Sequence, residues 1–477
     1  MFFIAILALV PAQGCKEKQI FEELGDRFAG PVALDVSKDG RNFYVLNSDF
    51  DRQYNAASIV VLDDQGEKKN IVTAPRMGQV LKVVGGEMFV LYDRAEESAP
   101  PRVEIYDLSD PLQPRLTHHW NFECTPLNLV ARENYPYFFI SCTGGRLYVG
   151  EKSWGELKLV RYYGQERRAM HLDPQRGLLM LFPTDMAKQV LQDVRTFDVK
   201  SFSSEGVESA EANEVPDEFE NTRAVRRNLD LRIPYQFVVY DINSEKQAGF
   251  PYRTQSDKND STVLTELRWL YFSLLNQDGT PDSDEEIKSL DYKFFRTNIW
   301  DAKPNLENND SFFISHRGIV QANNIVEVAM TGDPRPTPAV NGACESMKRL
   351  VGGVCVPFTS SVFDFKRVYG FNGEIDGLHY VGDFSITPVQ GQRVLVVNHF
   401  RDLVYWKNED RRFSLAAKTL GEDLWRTELF STSHKRSYYQ IAMNQDGAAL
   451  TCSYYSGSVI LLKINPGEDI REIKEIR

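Results

Sequence analysis

The sequence predicts an all-β fold, a β-propeller of four-stranded blades, and three observations carry that prediction. Short apolar or alternating runs of four to eight residues are separated by Gly, Asp and Asn, as strands and tight turns require. A loose unit of strand, x-Asp-Gly turn and second strand recurs, as in ALDVSKDGRNFYVLNS (33–48) and YQIAMNQDGAALTCSYYSGSVILLKI (439–464). The spacing of these units is about 40–45 residues, the size of one blade and too regular for a barrel or a sandwich.

Taken in order, the strand signals are RNFYVLNS (41–48), ASIVVLDD (57–64), EMFVLYD (87–93) and PRVEIYDLSD (101–110). YFFISC (137–142), GRLYVGE (145–151), GLLMLFP (177–183) and QFVVYDI (236–242) follow, then NIVEVAM (324–330), QRVLVVNHF (392–400) and GSVILLKI (457–464). Weaker copies of the turn unit occur at HLDPQRGLLMLFP (171–183) and SITPVQGQRVLVVNH (385–399). Gly supplies the positive φ of these turns and Pro fixes φ near −65°. Blades are expected near 30–76, 79–122, 124–165, 167–255, 266–340, 363–422 and 430–477. That makes seven, with six and eight also compatible, and with insertions at about 184–235 and 272–310 in the fourth and fifth.

Composition narrows the function. The 477 residues carry 55 Lys plus Arg against 67 Asp plus Glu, a net charge of −12. Phosphate neutralisation needs a basic surface, so a nucleic-acid partner is not expected. Aromatics reach 12%, and their abundance fits half-buried strands.

The N-terminus reads as an address. Residues 2–10, FFIAILALV, are apolar but too short to span a bilayer, which takes about 20 residues as a helix. They fit the h-region of a signal peptide over 1–14, with a tether at 15–29 before the propeller at 30–477. Ala12-Gln13-Gly14-Cys15 resembles the lipobox of bacterial lipoproteins, although position 12 is Ala where Leu is usual. That resemblance implies lipid attachment at Cys15 and an outer-membrane lipoprotein of a Gram-negative cell envelope, facing the periplasm or the cell surface. The alternatives are an ordinary signal peptide or a buried first strand.

Export permits disulfides. Cys344 and Cys355 bracket a loop containing two glycines, and their pairing is expected. Cys124 and Cys142 lie symmetrically about a hairpin turn at 132–134, so antiparallel pairing would bring them opposite each other. Two small buried thiols are the alternative there. Cys452 is left over as a core residue.

Two segments break the rhythm. Residues 205–220 hold seven acids and no base, followed by Arg223, Arg226 and Arg227, which reads as a solvated surface loop. Residues 276–295 hold Asp278, Asp282, Asp284, Glu285 and Glu286 without EF-hand spacing. An N-cap for a short helix through 285–295 is the favoured reading, and calcium the lesser one.

The strand and turn pattern "VSKDGRNFYVLNSD…SIVVLD" resembles the lactonase-like and YVTN-type seven-bladed propellers, and "VEIYDLSDPLQP" is similar to the LVIVD-type repeat. The lactonase-like resemblance implies a site in the central channel, where Asp35, Lys82 and His171 fall on analogous first strands. A channel lined by solvated polar side chains is the plainer reading. HExxH, G-x-S-x-G, Walker A and G-x-G-x-x-G motifs are absent. His118 and His119 are adjacent on a strand and point to opposite faces.

The expectation is therefore a lipid-anchored propeller that binds a protein or glycan of the cell envelope as a scaffold. An enzyme is not expected. No cofactor is called for, and a divalent cation stays compatible with the acids. The rival is a lactonase-like hydrolase with its site at the channel mouth.

Overall fold

The computed structural model describes residues 22–94, 99–143, 146–161, 167–183, 235–241, 246–255, 264–268, 270–273, 289–292, 298–306, 308, 310–317, 324–333, 337–345, 348–351, 354–357, 363–370, 378–402, 412–421, 425–430, 440–453 and 457–477. Cys15, the acidic run at 205–220, Arg223, Arg226, Arg227 and the acids of 278–286 lie outside the described residues.

The first blade is the meander β1 (Pro31–Val36), β2 (Asn42–Asn47), β3 (Ala57–Asp63) and β4 (Lys68–Ala74). The second is β5 (Gly78–Val84), β6 (Glu87–Tyr92), β7 (Arg102–Asp107) and β8 (Arg115–Asn121). The third is β9 (Pro126–Val130), β10 (Tyr137–Cys142), β11 (Arg146–Glu151) and β12 (Lys158–Arg161). The next sheet is larger. It begins with β13 (Arg167–Asp173), β14 (Leu178–Pro183), β15 (Tyr235–Asp241) and β16 (Lys246–Gln255) in the same order. β17 (Leu264–Arg268), β18 (Leu270–Ser273) and β19 (Ser289–Tyr292) extend it outward.

The following blade is β20 (Asn298–Pro304), β21 (Ser311–Arg317), β22 (Asn324–Met330) and a fourth strand that comes only after an inserted small sheet. The insert is β23 (Thr337–Pro338), β24 (Lys348–Val351) and β25 (Val354–Pro357), and the blade is completed by β26 (Phe363–Gly370). Then come β27 (Leu378–Val389), β28 (Gln392–Asp402), β29 (Arg412–Thr419) and β30 (Arg426–Phe430). The chain ends with β31 (Ile441–Met443), β32 (Ala448–Ser453), β33 (Ser458–Lys463) and β34 (Arg471–Ile476). Six sheets are thus regular four-stranded blades, and the enlarged sheet stands between the third and the next.

The first strands of successive sheets touch in order, and β31 touches β1, so the sheets close into a ring. The protein is an all-β propeller. Its cores lie between sheets. Leu81, Val90 and Tyr92 meet Tyr44, Leu46 and Val61 across the first gap, and Phe89 and Val103 meet Phe138 and Ile140 across the second. Both faces of each middle strand are therefore covered, which is why NFYVLN and SIVVL are buried throughout instead of alternating. The outer strand β4 reverts to alternation because one of its faces meets water. Each fully buried Leu or Phe side chain contributes roughly 1.5–3 kcal/mol.

Three expectations shift. The fifth unit was expected at 266–340, whereas its strands run from 298 to 370, because β26 follows the inserted sheet. The segment 272–310 is not one loop, since β19 and β20 lie in it. Ser289–Tyr292 is a strand paired to β17, where a helix through 285–295 was favoured. Leu290 and Tyr292 are two residues apart, which fits strand alternation, whereas a helical face needs partners three or four apart.

Candidate functional site: the charged channel

The first strand of each sheet faces the ring centre with alternate side chains, and a repeated device shapes that surface. Asp35 on β1, Asn128 on β9, Asp301 on β20 and Asp383 on β27 each accept, through Oδ1, the N–H of the following residue, at 2.8–2.9 Å. Two of these carboxylates also reach the next blade. Asp35 Oδ2 accepts Val83 N–H of β5 at 2.8 Å, and Asp383 Oδ2 accepts Ile441 N–H of β31 at 2.9 Å. Gln440 carries the pattern across the seam, its Oε1 accepting Leu34 N–H at 3.3 Å. An acceptor side chain on one first strand thereby satisfies a backbone donor of its neighbour, which otherwise has no strand to pair with.

Among these staples sit two lysines. Lys303 Nζ lies 2.6 Å from Asp383 Oδ1 and 3.7 Å from Asp301 Oδ2, donates to Phe384 O, and stands 5.1 Å from the Phe384 ring centroid. Burial opposes the ammonium charge, but Asp383 and Asp301 outweigh it and leave the Lys303 pKa raised. Lys82 on β5 is pushed below the usual lysine range by burial, against the attraction of Asp301, Asp35 and Asp383. Asp35 is raised by burial, partly offset by the Val83 and Val36 N–H groups and by Lys303 and Lys82. Lys82 interacts with groups on β1, β20 and β27, strands from separate parts of the ring, so these charges share the channel. Three carboxylates and two ammoniums converge there.

Asp35 and Lys82 stand on neighbouring first strands, where Asp35 accepts the N–H of Val83, and His171 lies in another gap. The His171 ring is buried and stacks on Phe312, with centroids 4.1 Å apart and planes 14° apart, in the gap between β13 and β21. Burial pushes its pKa well below the usual histidine value, and Arg132 adds to the effect. The expected trio in the channel is therefore not assembled. Asp301, Lys303 and Asp383 take the place given to His171. NIWDAKP falls within the segment expected as an insertion, and the sequence signal for β27 starts at Ser385, after Asp383. The signal that identifies them is an Asp before an apolar or small residue on three of the first strands, as in LDV, WDA and GDF.

Cys124 and Cys142 are joined at the edge of the third blade, and Cys344 and Cys355 within the inserted sheet. Cys452 is a buried free thiol in the last blade, pushed by burial up to about 12. Among the described residues no three His, Cys, Asp or Glu side chains are grouped as metal ligands.

These features define the class, a β-propeller with a stapled, charged channel. No protein-family profile matches the sequence, and no curated protein matches it. Among solved structures, the chain is similar to Hsv2 of Kluyveromyces lactis, with a TM-score of 0.41 and 8% identity over 93% of this chain and 98% of that one. It is likewise similar to a complex of KlAtg21 with the coiled coil of AgAtg16, with a TM-score of 0.42 and 10% identity over 94% and 98%. Kluyveromyces marxianus Hsv2 gives a TM-score of 0.42 at 9% identity over 94% and 99%. At these values the likeness carries no inference about activity or partner.

Proposed function

We propose that this propeller is an exported, lipid-anchored binding module of the bacterial cell envelope, recognising a protein or a glycan through the faces of the ring. One observation carries the reading: the channel carboxylates are already engaged. Asp35 and Asp383 each accept two backbone N–H groups, and Asp383 also holds Lys303. Catalysis needs a nucleophile or base, an orienting partner and a stabiliser for developing charge, all converging on one reacting atom. Groups consumed in tying blades together do not offer that arrangement. Recognition then falls to the loops and turns around the channel, the usual working surface of a rigid scaffold.

The lipid anchor at Cys15 and an outer-membrane address rest on the lipobox-like Ala12-Gln13-Gly14-Cys15. The lactonase-like, YVTN-type and LVIVD-like kinship rests on the strand and turn pattern at 33–63 and 103–114.

Membrane fractionation of the full chain beside Cys15→Ala tests the anchor. Two acyl chains hold a protein stably at a membrane, so the variant is expected in the soluble fraction. A variant that stays membrane-bound refutes lipidation at Cys15. A lactone and ester panel tests the module reading. Turnover that disappears in Asp35→Asn would make the chain a hydrolase and overturn it.

A further inference from the structure

We propose that the cleft between the second and third blades is a carbohydrate subsite, holding one neutral, hydroxyl-rich sugar unit against the rings of Tyr135 and Tyr137, with Trp154 packed beside Tyr137. The inference rests on the binding-module reading above and names the ligand class and its place.

The cleft opens where the β5–β6 turn meets the β9–β10 turn. Its cavity measures about 240 Å³, floored by Val84, Phe89 and Phe138. Drug-sized ligands take roughly 300–1,000 Å³, so a single ring-sized unit is the larger object it suits. One wall is aromatic. Tyr135 and Tyr137 line it and meet edge to face with centroids 5.8 Å apart, and Trp154, beyond the lining, supports Tyr137 at 5.7 Å. All three rings are partly exposed. Trp154 is positioned from behind, because its carbonyl accepts Trp120 Nε1–H at 3.0 Å. Tyr and Trp rings present an apolar face with a polar tip, which matches the C–H face and rim hydroxyls of a pyranose.

The polar wall selects neutrality. Glu87 pairs with Lys152, and Glu133 lies 2.5 Å from Lys38 Nζ. Glu133 is seated by the backbone opposite it. Gly85 has φ +62°, and a Cβ there would come within 2.8 Å of the Glu133 carboxyl carbon. Arg132 is fixed by its Nε–H bond to Leu172 O at 3.2 Å. The charges that line the cleft, Glu87 and Glu133 against Lys152 and Arg132, cancel. An anion would meet two carboxylates and a cation two bases. Hydroxyl groups serve both, donating to carboxylate oxygens and accepting from the bases and the Asn134 amide. A proline-rich peptide would fit the rings but has few donors for the two carboxylates.

The test titrates the full chain with maltohexaose, cellohexaose and chitohexaose, followed by tryptophan fluorescence and by saturation transfer from protein to sugar protons. Polygalacturonate and a proline-rich peptide are the contrasts. Saturable binding of at least one neutral hexasaccharide is expected, with affinity at least tenfold weaker in Tyr137→Ala and Trp154→Ala and unchanged in Leu306→Ala. Tyr137→Phe keeps the ring and should retain most of the affinity, which separates loss of the platform from loss of folding. Glu133→Gln should weaken binding without moving the melting temperature. Hexasaccharide binding undiminished in both aromatic variants overturns this cleft and leaves the module reading standing. Binding to polygalacturonate or the peptide alone overturns the ligand class. Failure of every sugar, with saturable binding to a purified envelope protein, overturns the subsite alone, whereas ester turnover lost in Asp35→Asn overturns the module reading as well.

Discussion

Removing the Lys303 side chain, as in Lys303→Met, should be among the most damaging single changes at the ring centre. The ammonium stands 2.6 Å from Asp383 and 3.7 Å from Asp301, and Asp35 also feels its charge. At 2.6 Å and an effective dielectric near 20 the attraction to Asp383 is of order ~6 kcal/mol, most of it offset by dehydrating both ions. Breaking a buried pair from one side costs about 3–5 kcal/mol, because the other charge stays buried. The side chains retain 29% and 13% of their exposure, so the cost should fall at the lower end, about 3 kcal/mol. Urea unfolding at pH 7, read by tryptophan fluorescence, measures it. In the double variant Lys303→Met/Asp383→Asn the stranded charge is gone, and the loss should be smaller than the sum of the single losses by about 1.5 kcal/mol or more. A Lys303→Met protein within about 0.5 kcal/mol of the parent, or strictly additive losses, would refute the staple argument.

His171 is held neutral, so its contribution is present above the unfolded pKa near 6.5 and is lost as pH falls below it, at about 1.4 kcal/mol per pH unit. His171→Phe should keep the stack on Phe312 and flatten the stability profile between pH 6.5 and 5, and an unchanged slope would count against it. Asp35 has the opposite sign. Its pKa is raised by burial, so its contribution is full below about 3.9 and is lost as pH rises through the folded value, and Asp35→Asn should remove that dependence from unfolding curves. Gly150→Ala places a Cβ 2.1 Å from Phe138 Cζ and should cost about 1–3 kcal/mol, whereas Gly391→Ala meets open space and strains only a φ of +77°, for about 1 kcal/mol; thermal melts rank the two. Reducing Cys344–Cys355, joined across a separation of 11, should release about 2–3 kcal/mol of loop constraint, and peptide mapping without reductant should show the linked pair.

The blades were legible where a middle strand announced itself. FYVLN, SIVVL and LLMLF are apolar on both faces because a sheet lies on each side, and the Asp-Gly or Pro-containing turns before them mark where the first strand reverses. First strands were harder to read, and the channel is built from them. One face of such a strand meets a polar axis, so NIWDAKP carries Asp, Lys and Pro and looks like a loop. In β27 a register shift between Val381 and Phe384 breaks the two-residue period beside Asp383. His171 differs by its packing: the same register shift precedes Asp35 in β1 and Lys82 in β5, but the apolar face of the imidazole stacks on Phe312 of the next sheet. The aromatic cluster is half legible: Trp is favoured at binding hot spots, which marks Trp154, but Tyr137 opens the strand signal YFFISC and nothing in the sequence joins it to Tyr135 and Trp154.

The seam between the last and first blades explains why the channel is built for cohesion. β1 to β4 and β31 to β34 form complete meanders, so no strand is exchanged between the two ends of the chain. Closure instead rests on side chains. Leu34, Phe43 and Val60 pack against Ala442, Leu450 and Val459, Asn444 Nδ2–H bonds Gly40 O at 2.7 Å, and Lys474 meets Glu67 at 2.6 Å. Exposed contacts such as the last contribute little, of order 0–1 kcal/mol. The hydrophobic gap and the staples at the axis must therefore supply most of the resistance to opening. Asp383 to Ile441, Gln440 to Leu34 and Asp35 to Val83 run in one direction around the ring, across the seam, and join three successive gaps between first strands. Converting any of these groups to catalysis or ligand binding would free a backbone donor at the place where the ring is least covalently secured. Recognition is cheaper on the turns at the faces, where Tyr135 and Tyr137 can meet a ligand without loosening a blade.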